Sequence, residues 1–72
     1  MSRRLLIDCG EALYGPLWQS ELARQLGVSD RTVRRWVAGA DMPPGVYVDL
    51  MRLAHERAGM LDALVERLRD ET

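Results

Sequence analysis

Gly27 stands between two apolar stripes, each too short to persist alone as a helix. On its N-terminal side come Leu22, Ala23 and Leu26, with Trp18 one turn earlier. On its C-terminal side come Val33, Trp36 and Val37, again three and four apart. That period predicts two short helices, at about 18–26 and 30–38. A glycine just past the first supplies left-handed backbone, which lets a chain double back within a few residues. Ser29 suits the opening of the second helix, where its hydroxyl accepts from an early N–H, and Asp30 then faces the positive end of the helix dipole. Two helices joined so tightly must cross, and both stripes need a third body to pack on.

The rest of the chain supplies that body. Over residues 3–14, Leu5, Leu6, Cys9 and Leu13 fall on one helical face, and Tyr14-Gly15-Pro16 stops the helix. Gly39 ends the 30–38 helix, and residues 41–45 read as a loop in which Pro44 suits a first helical turn. A fourth helix is expected over about 45–58, carrying Val46, Leu50, Leu53 and Ala54. A fifth amphipathic segment, 60–69, carries Leu61, Leu64, Val65 and Leu68. Gly59 either separates these two or sits inside one long helix; the pattern allows both. There is no alternating strand pattern, repeat or low-complexity stretch. The expected fold class is all-α, with four or five short helices around a helix-turn-helix, in one domain over residues 1–72.

Composition excludes several classes. With 47% hydrophobic and 29% charged residues, the chain is too apolar and too balanced to be disordered. No uninterrupted apolar run exceeds that of Leu5-Leu6-Ile7, which argues against a membrane span or a secretory leader. A single cysteine, Cys9, has no internal disulfide partner, so a cytoplasmic location is expected. Every basic residue is an arginine, and lysine, asparagine and phenylalanine are absent. Those absent types use AT-rich codons, so the bias points mainly to a GC-rich bacterial genome or a phage living in one.

The net charge of −1 hides an uneven distribution. Residues 24–37 set Arg24, Arg31, Arg34 and Arg35 against Asp30 alone, a net +3. Residues 1–23 carry −1 and residues 38–72 carry −3. At the helical period, Arg31, Arg34, Arg35 and Ala38 cluster opposite the stripe of Val33, Trp36 and Val37. A structural hairpin would usually mix signs on its outer face; this one shows only arginine.

Residues 19–38, from Gln19-Ser20-Glu21-Leu22-Ala23 through Gly27-Val28-Ser29 to Arg35-Trp36-Val37-Ala38, resemble the bacterial helix-turn-helix of the lambda-repressor and Cro-like DNA-binding family. Ala23 stands where that motif needs a small residue at the helix crossing, and Gly27 where it turns. Leu22, Leu26, Val28, Val33 and Trp36 stand where it needs apolar wedge residues. The resemblance implies binding to double-stranded DNA, with the second motif helix in the major groove, bringing Ser29, Asp30, Arg31 and Thr32 closest to base edges. Arg31 and Arg35, one turn apart, are candidates for reading guanine with their guanidinium forks. Arg34 and Thr32 are candidates for phosphate contact. Asp30 either accepts from a cytosine amino group or serves the helix start. Gln19 opens the first motif helix, where the family places a polar residue against backbone phosphate.

Competing uses of these residues are weaker. Trp36 lies on the apolar face and reads as core rather than as a base-stacking platform; Trp18 is more open. Cys9 and His55 are the only soft metal ligands and fall on separate helices, so no metal site or cofactor is expected. No nucleophile, base and acid set emerges, and no enzyme activity or small-molecule ligand is expected. One such module binds DNA weakly, and specific binding usually takes two copies on a palindromic operator. Val48, Met51, Met60, Leu61 and Leu68 exceed what so short a chain can bury, so residues 45–69 are expected to form a homodimer contact.

The resemblance thus implies a dimeric repressor of its own operon. It extends to the small regulators of phages and mobile elements, such as anti-CRISPR-associated repressors. Two alternatives remain at this level: an antitoxin or other protein-partner-binding module, and an excisionase-like architectural factor. The last would need a two-stranded wing after the arginine-bearing helix.

Overall fold

The computed structural model describes residues 2–72, and over them the fold is all-α. Four helices follow in order: α1 (Ser2–Tyr14), α2 (Trp18–Leu26), α3 (Asp30–Val37) and α4 (Pro44–Asp70). There is no strand among the described residues, so nothing resembling a two-stranded wing follows α3.

The turn between α2 and α3 forms as its residues dictate. Gly27 adopts φ 73°, and Val28 N–H reaches back to the Ala23 carbonyl (3.0 Å) while Gly27 N–H reaches Arg24 (3.3 Å). This paired closure satisfies carbonyls that the helix end would otherwise leave open. Ser29 is extended (φ −79°, ψ 156°), and its hydroxyl accepts from Thr32 N–H at 3.1 Å, capping α3. At the other end of α3, Gly39 adopts φ 116°, with Ala40 N–H on the Arg35 carbonyl (2.9 Å).

α1 packs against each of the other three helices, and α2 packs against α3. The core draws Leu6 and Leu13 from α1, and Trp18, Leu22 and Ala23 from α2. Val33 and Trp36 come from α3, and Val46, Leu50 and Leu53 from α4. Burying each of the larger side chains contributes about 1.5–3 kcal/mol. Ala23 is buried where α2 packs, as the small residue of a crossing should be. Both tryptophans are core residues, Trp18 included.

Two details depart from the expected pattern, and a third decides between the two outcomes it allowed at Gly59. Leu5 is exposed rather than part of the α1 stripe, and the buried position on that face is taken by Gly10. Ala54 is exposed as well. Residues 45–58 and 60–69 form one helix of 27 residues, with Gly59 inside it. Strong helix formers on both sides (Ala58, Met60, Leu61, Ala63) outweigh the roughly 1 kcal/mol that one interior glycine costs.

α4 is anchored only along its first half. Arg57, the last half-buried residue of α4, donates to the Leu13 carbonyl at 2.6 Å and lies 5.4 Å from the centre of the Tyr14 ring. The guanidinium therefore closes the C-terminal end of α1, where a cation is favoured. From Ala58 onward every residue is exposed. The helix runs on for about 20 Å without support, giving the molecule extents of 47 × 22 × 22 Å. No helix is long and apolar enough to cross a membrane.

Candidate nucleic-acid interface

α3 meets the core on one side and solvent on the other. Val33 and Trp36 are buried, while Arg31, Arg34, Arg35 and Ala38 are exposed. At 3.6 residues per turn these four fall within an arc of roughly 100°. The arginine face expected from sequence is thus brought together on one rigid element.

What distinguishes these arginines is that three of them share one helix face without a carboxylate partner; Arg67, also without an ion pair, stands apart near the end of α4. Arg4 pairs with Asp8 (2.8 Å), Arg24 with Glu21 (2.9 Å), Arg52 with Glu56 (3.3 Å) and Arg69 with Glu66 (2.7 Å), each within one turn. Arg57 is held by α1. Among the described residues, Arg31, Arg34 and Arg35 make no ion pair and no side-chain hydrogen bond. Their fifteen or so N–H donors face water. Arg24 belonged to the same basic segment in sequence, but its bond to Glu21 sets it apart from the three.

The other expected site residues surround this face in distinct ways. Ser29 is occupied as the α3 cap, and the Thr32 hydroxyl lies 3.0 Å from the Ser29 hydroxyl, so the two share one hydrogen bond. The Asp30 carboxylate accepts from the Ser20 hydroxyl at 2.6 Å, linking the first turn of α3 to α2. Ser20 was not singled out from sequence: a bond between residues ten apart leaves no periodic trace. Gln19 is half-buried at the start of α2, beside a shallow cleft it shares with Pro16, Leu17 and Ser20. No side chain caps α2, so its first N–H groups are open toward that cleft.

Arg3 is a further cation that sequence spacing did not flag. Its guanidinium reaches to within 4.0 Å of where a Cβ on Gly39 would stand, at the C-terminal end of α3. There it complements the helix dipole.

Burial pushes the Cys9 thiol up from its ordinary value, with the Asp8 charge adding to the effect. Burial likewise pushes up the Tyr14 hydroxyl, opposed by Arg57. Among the described residues no three His, Cys, Asp or Glu side chains gather as a metal-binding set. A cleft of about 670 Å³ lies between α2, α4 and the end of α1, and is lined by Glu21, Glu56 and Arg57 among others. It belongs to a different surface from the α3 arginines.

No family model matches this chain, and neither does any curated protein or solved structure.

Proposed function

We propose that this chain is a sequence-specific regulator of transcription that binds double-stranded DNA, most concretely a dimeric repressor of its own operon reading an inverted repeat. The observation that carries this reading is the α3 surface, where three arginines are exposed and free of carboxylates while the opposite face anchors the helix. Four arginines elsewhere pair with a carboxylate one turn away and Arg57 donates to a carbonyl, whereas on this helix three stand together unpaired. The likeness of residues 19–38 to the Cro-like helix-turn-helix supports the same conclusion independently of charge.

In this reading α3 lies in the major groove. Arg31 and Arg35 reach base edges, and the fork of each suits guanine O6 and N7. Arg34 points aside to a phosphate, with Thr32 nearby. Gln19 and the uncapped start of α2 take a phosphate of the same strand, since open N–H groups at a helix N-terminus favour an anion. Ser29 and Asp30 hold the first turn of α3 in place through their bonds to Thr32 and Ser20. The protein works in the cytoplasm, as a phage or mobile-element regulator of the kind associated with anti-CRISPR operons.

The test is binding to the DNA upstream of its own gene, comparing the parent with Arg31→Ala and Arg34→Ala. Losing Arg31 should weaken binding by about 1–3 kcal/mol and relax preference at one base position. Losing Arg34 should weaken all sequences alike. If both variants bind as the parent does, α3 is not the interface.

A further inference from the structure

α4 carries a second apolar face that its own domain leaves bare. Met51, Ala54, Ala58, Leu61, Val65 and Leu68 follow one another at alternating spacings of three and four, the seam of a helix that pairs with another helix. All six are exposed, Met51 at 61% and Leu68 at 64%. The two ends of the seam differ. Ala54 and Ala58 are small and border an apolar groove of about 370 Å³ between α1 and α4, with Cys9 and Ala12 on the α1 wall. Leu61 closes the far end of that groove, and Val65 and Leu68, bulky and exposed, stand past it. Two alanines beside a groove in one stretch of the seam, and bulky residues at and past the groove's end in the next, make complementary stretches of one surface.

We infer that a second copy of this chain covers this face with the two α4 helices antiparallel. Leu61, Val65 and Leu68 of each protomer then seat against Ala58, Ala54 and Met51 of the other. The inference deepens the dimeric reading above and rests on it only for the use made of the dimer.

Three considerations favour this arrangement. The first is fit: a parallel pair would oppose alanine to alanine and leucine to leucine, narrow at one end and wide at the other, and would leave the α1–α4 groove empty. The second is direction. Val46, Leu50 and Leu53, which face the core, lie roughly 80° around α4 from the seam at 3.6 residues per turn. The two-fold axis of an antiparallel pair is perpendicular to the helices, so both domains stay on one side. In a parallel pair the axis runs along the helices and turns the domains to opposite sides. The antiparallel pair crosses between its two Ala58–Leu61 contacts, level with Gly59 and Met60 near the middle of α4. This sets the domain centres, level with Leu50, roughly 30 Å apart, close to one turn of DNA. The third is area. The exposed apolar side chains of the seam and its neighbour Leu64 offer about 500 Å² per protomer, or about 1,000 Å² per pair, at the lower bound of a specific interface.

Sedimentation equilibrium of the full chain without DNA reads the association. At tens of micromolar the mass should be twice that of the monomer. Leu61→Glu and Val65→Glu, both on the unsupported part of α4, should return it to monomer with the helical circular dichroism unchanged. Register is read by oxidative cross-linking in a Cys9→Ala background. Met51→Cys and Leu68→Cys together should give covalent dimers, and neither should alone. A monomeric parent overturns the inference, and so does a covalent dimer from Leu68→Cys alone, which marks a parallel pair. An antiparallel dimer that binds no DNA leaves this inference standing and overturns the function above. A monomer that binds DNA overturns this inference and, of the function above, only its dimeric part.

Discussion

At the scale of single residues, Gly10 shows how a side chain's absence can matter more than its presence. It lies inside α1, where glycine costs about 1 kcal/mol relative to alanine. A Cβ there would overlap the indole of Trp18, which is buried against it. Gly10→Ala would regain helix propensity but push Trp18 out of its place in the core. The expected net loss is about 1–3 kcal/mol, as for other overpacked sites, measured by urea unfolding followed through tryptophan fluorescence. The unpatterned glycine was the only trace of this contact in the sequence, because a count of apolar side chains passes over a residue that has none. Asp30 teaches the complementary lesson. Its place in the first turn of α3 was legible, whereas its partner Ser20 is set by how two helices cross. Arg31, Arg34 and Arg35 were legible as a face because helical period alone decides which residues share it. That they are unpaired, and that Arg24 is not, required the positions of the carboxylates.

At the scale of elements, local signals and packing agree wherever the chain turns sharply. Gly27, Ser29 and Gly39 mark the ends of α2 and α3 in sequence, and the backbone uses each in the way its chemistry allows. Gly59 is different, for it falls in a run of helix formers and its outcome depended on the balance of their propensities. A segment as short as 58–70 is marginal as an isolated helix in water. It is helical here as the continuation of a half already nucleated by Val46, Leu50 and Leu53 on the core. Nothing lies within 4 Å of a Cβ at Gly59, so alanine fits without strain. Gly59→Ala should therefore stabilise α4 by about 0.5–1 kcal/mol. For a domain of this size that raises Tm by about 2–8 °C in thermal melts followed by circular dichroism. An unchanged or lower Tm would mean that the helix breaks at Gly59.

At the scale of the whole molecule, the sign of the charge depends on where it is seen. The chain as a whole is −1, yet a phosphate backbone approaching α3 meets Arg31, Arg34 and Arg35 first, with Arg3 beyond the helix end. The acidic residues of α4 are partly neutralised by their own arginines, as in Arg52–Glu56 and Arg69–Glu66. With a Debye length of about 8 Å at physiological salt, charge on the unsupported end of α4 is largely screened from DNA held at α3. Binding should therefore depend on salt as a basic protein's does, despite the acidic total. Each phosphate neutralised contributes about 0.9 to the slope of log affinity against log salt. Arg34, assigned to phosphate, is present once in a monomer and twice in a symmetric dimer. Arg34→Ala should accordingly flatten the slope by about 2 if two protomers engage one site, and by about 1 if a single chain binds. Arg31→Ala, assigned to a base, should lower affinity with a smaller change in slope. Fluorescence anisotropy of the parent and both variants, titrated between 50 and 200 mM salt (roughly the range over which such slopes are resolved), measures all three slopes. An equal change for Arg31→Ala and Arg34→Ala would mean that α3 touches only the backbone and reads no sequence.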